Sequence, residues 1–332
     1  MTLIRFLKEW TLPVAIVVGT SLYLLFAFVP QLAGAAAVLG PVVDTVFPLS
    51  VFATLFVTFS KVDFHLMHLC RWHGVVLLAQ LVLIAVTVWL LTDVLTADVM
   101  AESLAGRARM VITALLTCVI APCASASPVV TSKLGGNLTA TTTFVLLSSL
   151  CAAVLIPLVF PLVEPATGVR FATAFLVILQ KMATVLLLPL CLGAIVRMGA
   201  HHHVRGLTDI YERIARTPDL GFYCWAVSLA ITAGVTVRNI VHSGAPPALL
   251  AVIALGSLTI AVTQFGIGRA IGRRMDAPIE AGQTMFQKNT ALAIWVAYMY
   301  LSPVASIGAG CYVLWQNIIN SVELWQHQSK NS

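Results

Sequence analysis

The segment Thr284-Met-Phe-Gln-Lys-Asn-Thr-Ala-Leu-Ala293 decides how this chain is read, because it sets a lysine and several amides inside a run that is otherwise apolar. At membrane depth a charged side chain costs about 2.5–3.5 kcal/mol even on insertion scales, so it marks a site by default. The thirteen acidic residues all fall in connecting segments or at the edges of apolar runs, which leaves Lys288 no carboxylate at its own depth. Its partner has to be backbone, an amide or a ligand.

The surroundings of that segment are those of a membrane protein. Hydrophobic residues make up 59% of the chain and charged residues 10%, against about 25% charged in an ordinary soluble domain, and the mean hydropathy is +0.96. Ten stretches approach the ~20 apolar residues a helix needs to cross a bilayer: roughly 10–29, 43–60, 73–92, 109–132, 138–161, 171–196, 217–237, 247–270, 280–301 and 303–325. The connections are short, so the chain reads as a single integral membrane domain over 1–332. The start, Arg5-Phe-Leu-Lys8 with an apolar run ending near Ala33-Gly-Ala-Ala-Ala37, is too long for a secretory signal and reads as the first span.

Lysine and arginine placement gives the orientation. With the N-terminus inside, Arg5, Lys8, Lys61, Arg71, Lys133, Arg197, Arg205, Arg213, Arg216, Arg269, Arg273, Arg274 and Lys330 fall on the cytoplasmic side, while Arg107, Arg109, Arg170 and Arg238 fall outside. Both termini are therefore expected in the cytoplasm, in a multi-pass protein of the cell (inner) membrane. Topology accounts for the net charge of +6, so nucleic acid is not an expected partner. The seven cysteines are scattered and read as small buried residues, giving neither a disulfide framework nor a metal cluster, and no cofactor is implied. His201-His-His203 sits in a basic connecting loop and reads as a solvated face.

Two segments interrupt the apolar pattern. One is Ala121-Pro-Cys-Ala-Ser-Ala-Ser-Pro-Val-Val-Thr-Ser132 in the fourth span, and the other is Gln283–Thr290 in the ninth. Pro128 removes a backbone donor and is expected to break the fourth helix, and polar residues at depth are tolerated where freed backbone lines a cavity. Each interruption occupies the fourth span of a five-span half. The halves, about 10–161 and 171–325, are thus expected to be inverted repeats, with broken helices 4 and 9 crossing near the midplane. Interhelical bonding by hydroxyls suffices to explain Thr139–Thr143 and Ser148-Ser149.

These motifs resemble the bile acid:sodium symporter family. Pro122-Cys-Ala-Ser-Ala-Ser127-Pro128-Val-Val-Thr131 followed by Gly136-Asn137, Ala79-Gln80, Leu188-Pro-Leu-Cys-Leu-Gly193, and Pro303 with Trp315-Gln-Asn-Ile-Ile-Asn-Ser321 are similar to its helix motifs. Its ninth-helix motif, Glu-x-Gly-x-Gln-Asn-Ser-Gly-Leu-Ala, aligns onto Thr284–Ala293. The resemblance implies an all-α secondary transporter with core helices (about 73–161 and 247–325) and panel helices (about 10–60 and 171–237). It implies a small organic anion bound beside the crossing, with two sodium ions behind it.

This chain departs from the family at the implied sodium positions. Thr284 stands for the family's Glu, Lys288 for the following Gln, Pro128 for the Asn after Ser127, and Val145 for a fifth-helix Thr. Gln80, Ser127, Asn289 and a hydroxyl at Thr141 remain, and Ser125, Thr131, Gln287 and Thr290 complete the candidate substrate and ion site. Sodium needs several oxygen ligands to replace its hydration shell, so the expectation is sodium-independent or weakly sodium-coupled transport.

Three placements of Lys288 are open. Its ammonium can take the vacated sodium position, hydrogen-bonded to Gln80, Ser127 and freed carbonyls. It can face the cavity and pair with the anion beside half-helix N-termini, or it can snorkel to an interface. A desolvated lysine is also a candidate proton carrier, so proton coupling or residual sodium coupling is kept. Lys181 reads as structural, Asp44 as a helix cap at the outer edge, and Gln264 and Asn317 as packing hydrogen bonds. Alternatives are a sodium-coupled bile-acid-like symporter, an arsenite-type permease using Cys123 and a non-transporting sensor. An enzyme would need a dyad or metal ligands at depth, and none is present in the spans.

Overall fold

A computed structural model describes residues 11–62, 66–94, 102–164, 170–217 and 220–331. Arg5 and Lys8, used above for orientation, lie outside the described residues. Helices run α1 (Thr11–Phe28), α2 (Ala33–Ser60), α3 (Arg71–Trp89), α4 (Glu102–Ile120), α5 (Ser127–Lys133) and α6 (Leu138–Val163). They continue as α7 (Phe171–Met182), α8 (Leu188–His201), α9 (Arg205–Arg216), α10 (Leu220–His242), α11 (Pro247–Arg273), α12 (Pro278–Phe286), α13 (Thr290–Tyr300) and α14 (Pro303–Asn331). No β-strand occurs among the described residues. A segment that crosses a bilayer must satisfy its own backbone, which is what helix does.

Six helices among the described residues are long and apolar enough to cross: Val38–Ser60, Arg71–Asp93, Leu138–Val163, Phe171–His201, Tyr223–His242 and Pro247–Arg273. The remaining expected crossings fall short for identifiable reasons. The first yields a shorter apolar helix, Val14–Phe28. The fourth and ninth are split into α4 with α5 and α12 with α13. The tenth lies within α14, whose Gln316, Asn320 and Glu323 dilute its hydropathy. The chain is a multi-pass membrane protein.

Contacts divide it into two compact units, residues 1–62 with 184–244 and residues 63–183 with 245–332. In the first unit α1 lies against α10 at Gly19, where a Cβ would stand 1.8 Å from the Ala230 carbonyl oxygen. Ser228 donates to Ser50 at 2.8 Å between α10 and α2. Asp44 lies within α2, not at its start, and pairs with Arg238 at 3.5 Å, so it is an ion-pair partner where the sequence suggested a cap. His202 and His203 lie in the turn that the sequence suggested, while His201 and Arg197 belong to α8 and Arg205 opens the helix α9, whose apolar residues recur at helical spacing and fold back onto α8.

In the second unit, α12 docks on α11 through Gly268 and Gly272, one helical turn apart. A Cβ there would meet the Ala281 oxygen at 2.4 Å and the Ala277 oxygen at 2.3 Å, so only glycine lets the two backbones approach this closely. Between α7 and α8 the chain makes a π-helical turn at Ala183–Leu187. Pro189 explains it, because its ring nitrogen cannot donate to the Val185 carbonyl. Thr141, Thr142 and Thr143 were expected to bond between helices. Their hydroxyls instead donate to the Asn137, Leu138 and Thr139 carbonyls, the local back-bond open to any threonine four residues on.

Candidate functional site

Helix stops at Ile120 and resumes at Ser127, and stops at Phe286 and resumes at Thr290. The two interruptions pair with each other. Ala124 N–H donates to Gln287 O at 2.9 Å and Asn289 N–H to Pro122 O at 2.9 Å, forming an isolated antiparallel bridge between Cys123 and Lys288. Lys288 lies two residues past the end of α12, whose nine residues span ~13 Å at 1.5 Å per residue.

Breaking a helix strands the last carbonyls of one half and the first N–H groups of the next, and side chains from neighbouring helices take them up. The Gln80 amide on α3 donates to Val119 O at 3.1 Å and Ala121 O at 3.2 Å, closing the end of α4. Tyr312 on α14 donates its hydroxyl to Phe286 O at 2.6 Å, closing the end of α12, and Gln264 reaches Tyr312 Oη at 3.0 Å and Cys118 O at 3.4 Å. The N–H of Cys123 is accepted by Ser148 Oγ at 3.0 Å, and that of Lys288 by Gln316 Oε1 at 2.7 Å. At the α13 start, Asn289 Oδ1 accepts Leu292 N–H at 3.2 Å.

Lys288 is 1% exposed, and its Nζ makes no hydrogen bond in the structure. The bonds expected from the ammonium to Gln80 and Ser127 are absent, although Gln80 Oε1, Ser127 Oγ and Thr131 Oγ1 are each buried without a partner. Thr284 is fully buried and donates to Glu280 O at 2.8 Å along its own helix. Thr141 is likewise occupied by a local back-bond, and Asn289 serves as a cap. Pro128 sits in the first turn of α5, where no backbone donor is required, so it starts a helix rather than breaking one. The break lies before it, at 121–126. Ser125 and Thr290 flank the bridge, and Gln287 turns away toward α14.

That turn leads into a polar ladder. Gln287 Nε2 donates to Gln283 Oε1, and to Asn320 Oδ1 at 3.2 Å; Gln283 Nε2 donates to Glu323, which pairs with Arg269. On α14 the bridge partner Gln316 and the ladder residues Asn320 and Glu323 share one face at intervals of four and three. That spacing was a legible signal, while Ser148 and Tyr312 carried none that separates them from ordinary span residues. Asn317 donates to Val313 O at 2.8 Å in its own helix, and Lys181 is exposed at the end of α7.

The arrangement holds a buried lysine side chain and three buried side-chain oxygens around two paired helix breaks, with no acid paired to Lys288 among the described residues. An ammonium at this position can balance a bound anion or substitute for a bound cation. No curated protein compared with the chain matches it. A family model described as the sodium bile acid symporter family matches residues 48–243, more than half of the chain, taking in the first interruption and ending before the second. With the paired helix breaks already in place, that match means the chain belongs to the sodium bile acid symporter family.

Proposed function

We propose that this chain is a secondary transporter that moves a small organic anion by alternating access, with Lys288 as a built-in positive charge where related proteins use a sodium ion. Transport is then sodium-independent or weakly sodium-coupled. The observation that carries the reading is the position of Lys288: 1% exposed, at the paired interruptions, with no carboxylate partner among the described residues. A buried ion is retained where function needs it, because an apolar side chain would cost less.

The matched surroundings of the two interruptions support ten crossings in two inverted repeats. Cys123 and Lys288 occupy equivalent places in the bridge, and each gives its N–H to the following helix, α6 or α14. A core of α3–α6 with α11–α14 is supported by their grouping in one compact unit, although that unit also takes in α7, which was expected among the panel helices. Arg197, Arg205, Arg213, Arg216, Arg269, Arg273 and Arg274 support cytoplasmic termini and insertion in the cell (inner) membrane.

The test is counterflow in proteoliposomes with mixed small monocarboxylates and sulfonates, with and without sodium, at two pH values. Uptake of an anion without sodium is the expected result. Strict dependence on a sodium gradient would instead make the protein an ordinary sodium symporter and would sink the role given to Lys288. A rate that changes with pH and not with sodium would assign the coupling to protons.

A further inference from the structure

The feature the transport reading leaves unused is α9. It joins the end of α8 to the start of α10 at the edge of the first unit, and its position is fixed on three sides. Leu207 packs against Gly199 so closely that a Cβ there would lie 2.2 Å from Leu207 Cδ1. Arg197 donates to Tyr211 Oη at 2.7 Å and stacks over the ring at 5.0 Å. Ile214 is buried, and Lys61 Nζ donates to Thr217 O at 3.4 Å beyond the C-terminal end. The reversal into α9 takes only His202, His203 and Val204, with His203 at φ 54°, so the helix is held at the level where α8 ends.

The other side of α9 is left open. Arg205, Arg213 and Arg216 are exposed on its polar face, and Arg216 pairs with Glu212 at 2.7 Å. Among the described residues neither Arg205 nor Arg213 has an ion-pair partner. Counting Lys61, four cations stand against Asp209 and Glu212. Beside these arginines two apolar side chains are uncovered: Val204 is 50% and Ile210 43% exposed. We infer that α9 lies in the membrane interface and binds anionic phospholipid headgroups, with Arg205 and Arg213 on the phosphate and Ile210 and Val204 at the acyl boundary. Guanidinium matches phosphate with paired donors, and an amphipathic helix edged by arginine suits the boundary between headgroup and acyl chain.

The experiment is native mass spectrometry of the full chain titrated with phosphatidylglycerol or phosphatidylcholine. The expected result is preferential retention of phosphatidylglycerol, reduced roughly five-fold per arginine removed, hence roughly twenty-five-fold in R205Q/R213Q, and reduced less in R205K/R213K, which keeps the charge and loses the paired donors. R273Q/R274Q, a basic pair elsewhere on the chain, should keep the preference. Equal binding of the two lipids, or an unchanged preference in R205Q/R213Q, overturns the inference. Thermal unfolding is followed in parallel. If the double glutamine variant does not fold, R213Q alone carries the test, with the same two outcomes.

Discussion

Cys123 and Lys288 face each other across the bridge that joins the two broken helices, in a pair flanked by hydrogen bonds on both sides and bonded to neither. Such non-bonded antiparallel pairs bring their Cα atoms to about 4.5 Å with the side chains on one face, inside the range a disulfide spans. Lys288→Cys is therefore expected to form a disulfide with Cys123 under mild oxidation, identified by peptide mapping and lost in Cys123→Ser. An introduced thiol that stays free while it remains buried would show that the two breaks are in a different register.

Each bridge residue also depends on a neighbour that accepts its N–H. Gln316→Ala leaves the Lys288 amide buried without an acceptor, and Ser148→Ala does the same to Cys123. An orphaned buried donor costs about 1–3 kcal/mol, so both variants should unfold at lower temperature in detergent. Because the two sites share the bridge, their effects should fall short of additive in the double variant. Full additivity would mean the breaks are held independently.

Much of this was legible before any coordinates. The apolar runs announce a membrane protein, and Lys288 with the proline-flanked hydroxyls marks both interruptions. What the residues do not announce is which partners close the broken ends. Ser148 and Tyr312 look like any polar residue in a span, and their role exists only once helices distant in sequence are packed. Pro128 misled for a related reason: its cost depends on whether a donor is needed at that position, and the first turn of a helix needs none. The segment 205–216 falls between two expected spans and its charges stand out, yet Leu207, Ile210, Tyr211 and Ile214 sit at the helical spacing that α9 adopts.

The docking of α12 on α11 offers a test remote from the charge. Gly268→Ala would set a methyl 2.4 Å from the Ala281 oxygen, closer than real contacts allow, so the half-helix that carries Gln283 and leads to Gln287 must shift. Overpacking of this kind costs about 1–3 kcal/mol. The expected outcome is a lower unfolding temperature together with slower counterflow, since the displaced half-helix leads directly into Lys288. Gly266→Ala, which meets nothing within 4 Å, should leave both unchanged, and equal effects at the two glycines would dissociate the close approach from function.

Lys288 itself separates stability from function. Its Nζ is buried and without a hydrogen bond, so the folded protein carries a desolvation cost that an apolar side chain of similar length would not. Lys288→Met should therefore raise the unfolding temperature, by on the order of 1–3 kcal/mol in stability, the cost of a buried polar group without a hydrogen bond, while anion counterflow is lost. Lys288→Gln removes the charge and keeps an amide. If the lysine stands in for a sodium ion, this variant should gain sodium dependence; if the ammonium pairs with the anion, it should lose anion binding with stability unchanged or raised. A Lys288→Met protein that is less stable and still transports would show that the ammonium is a structural element of the crossing and takes no part in moving the substrate.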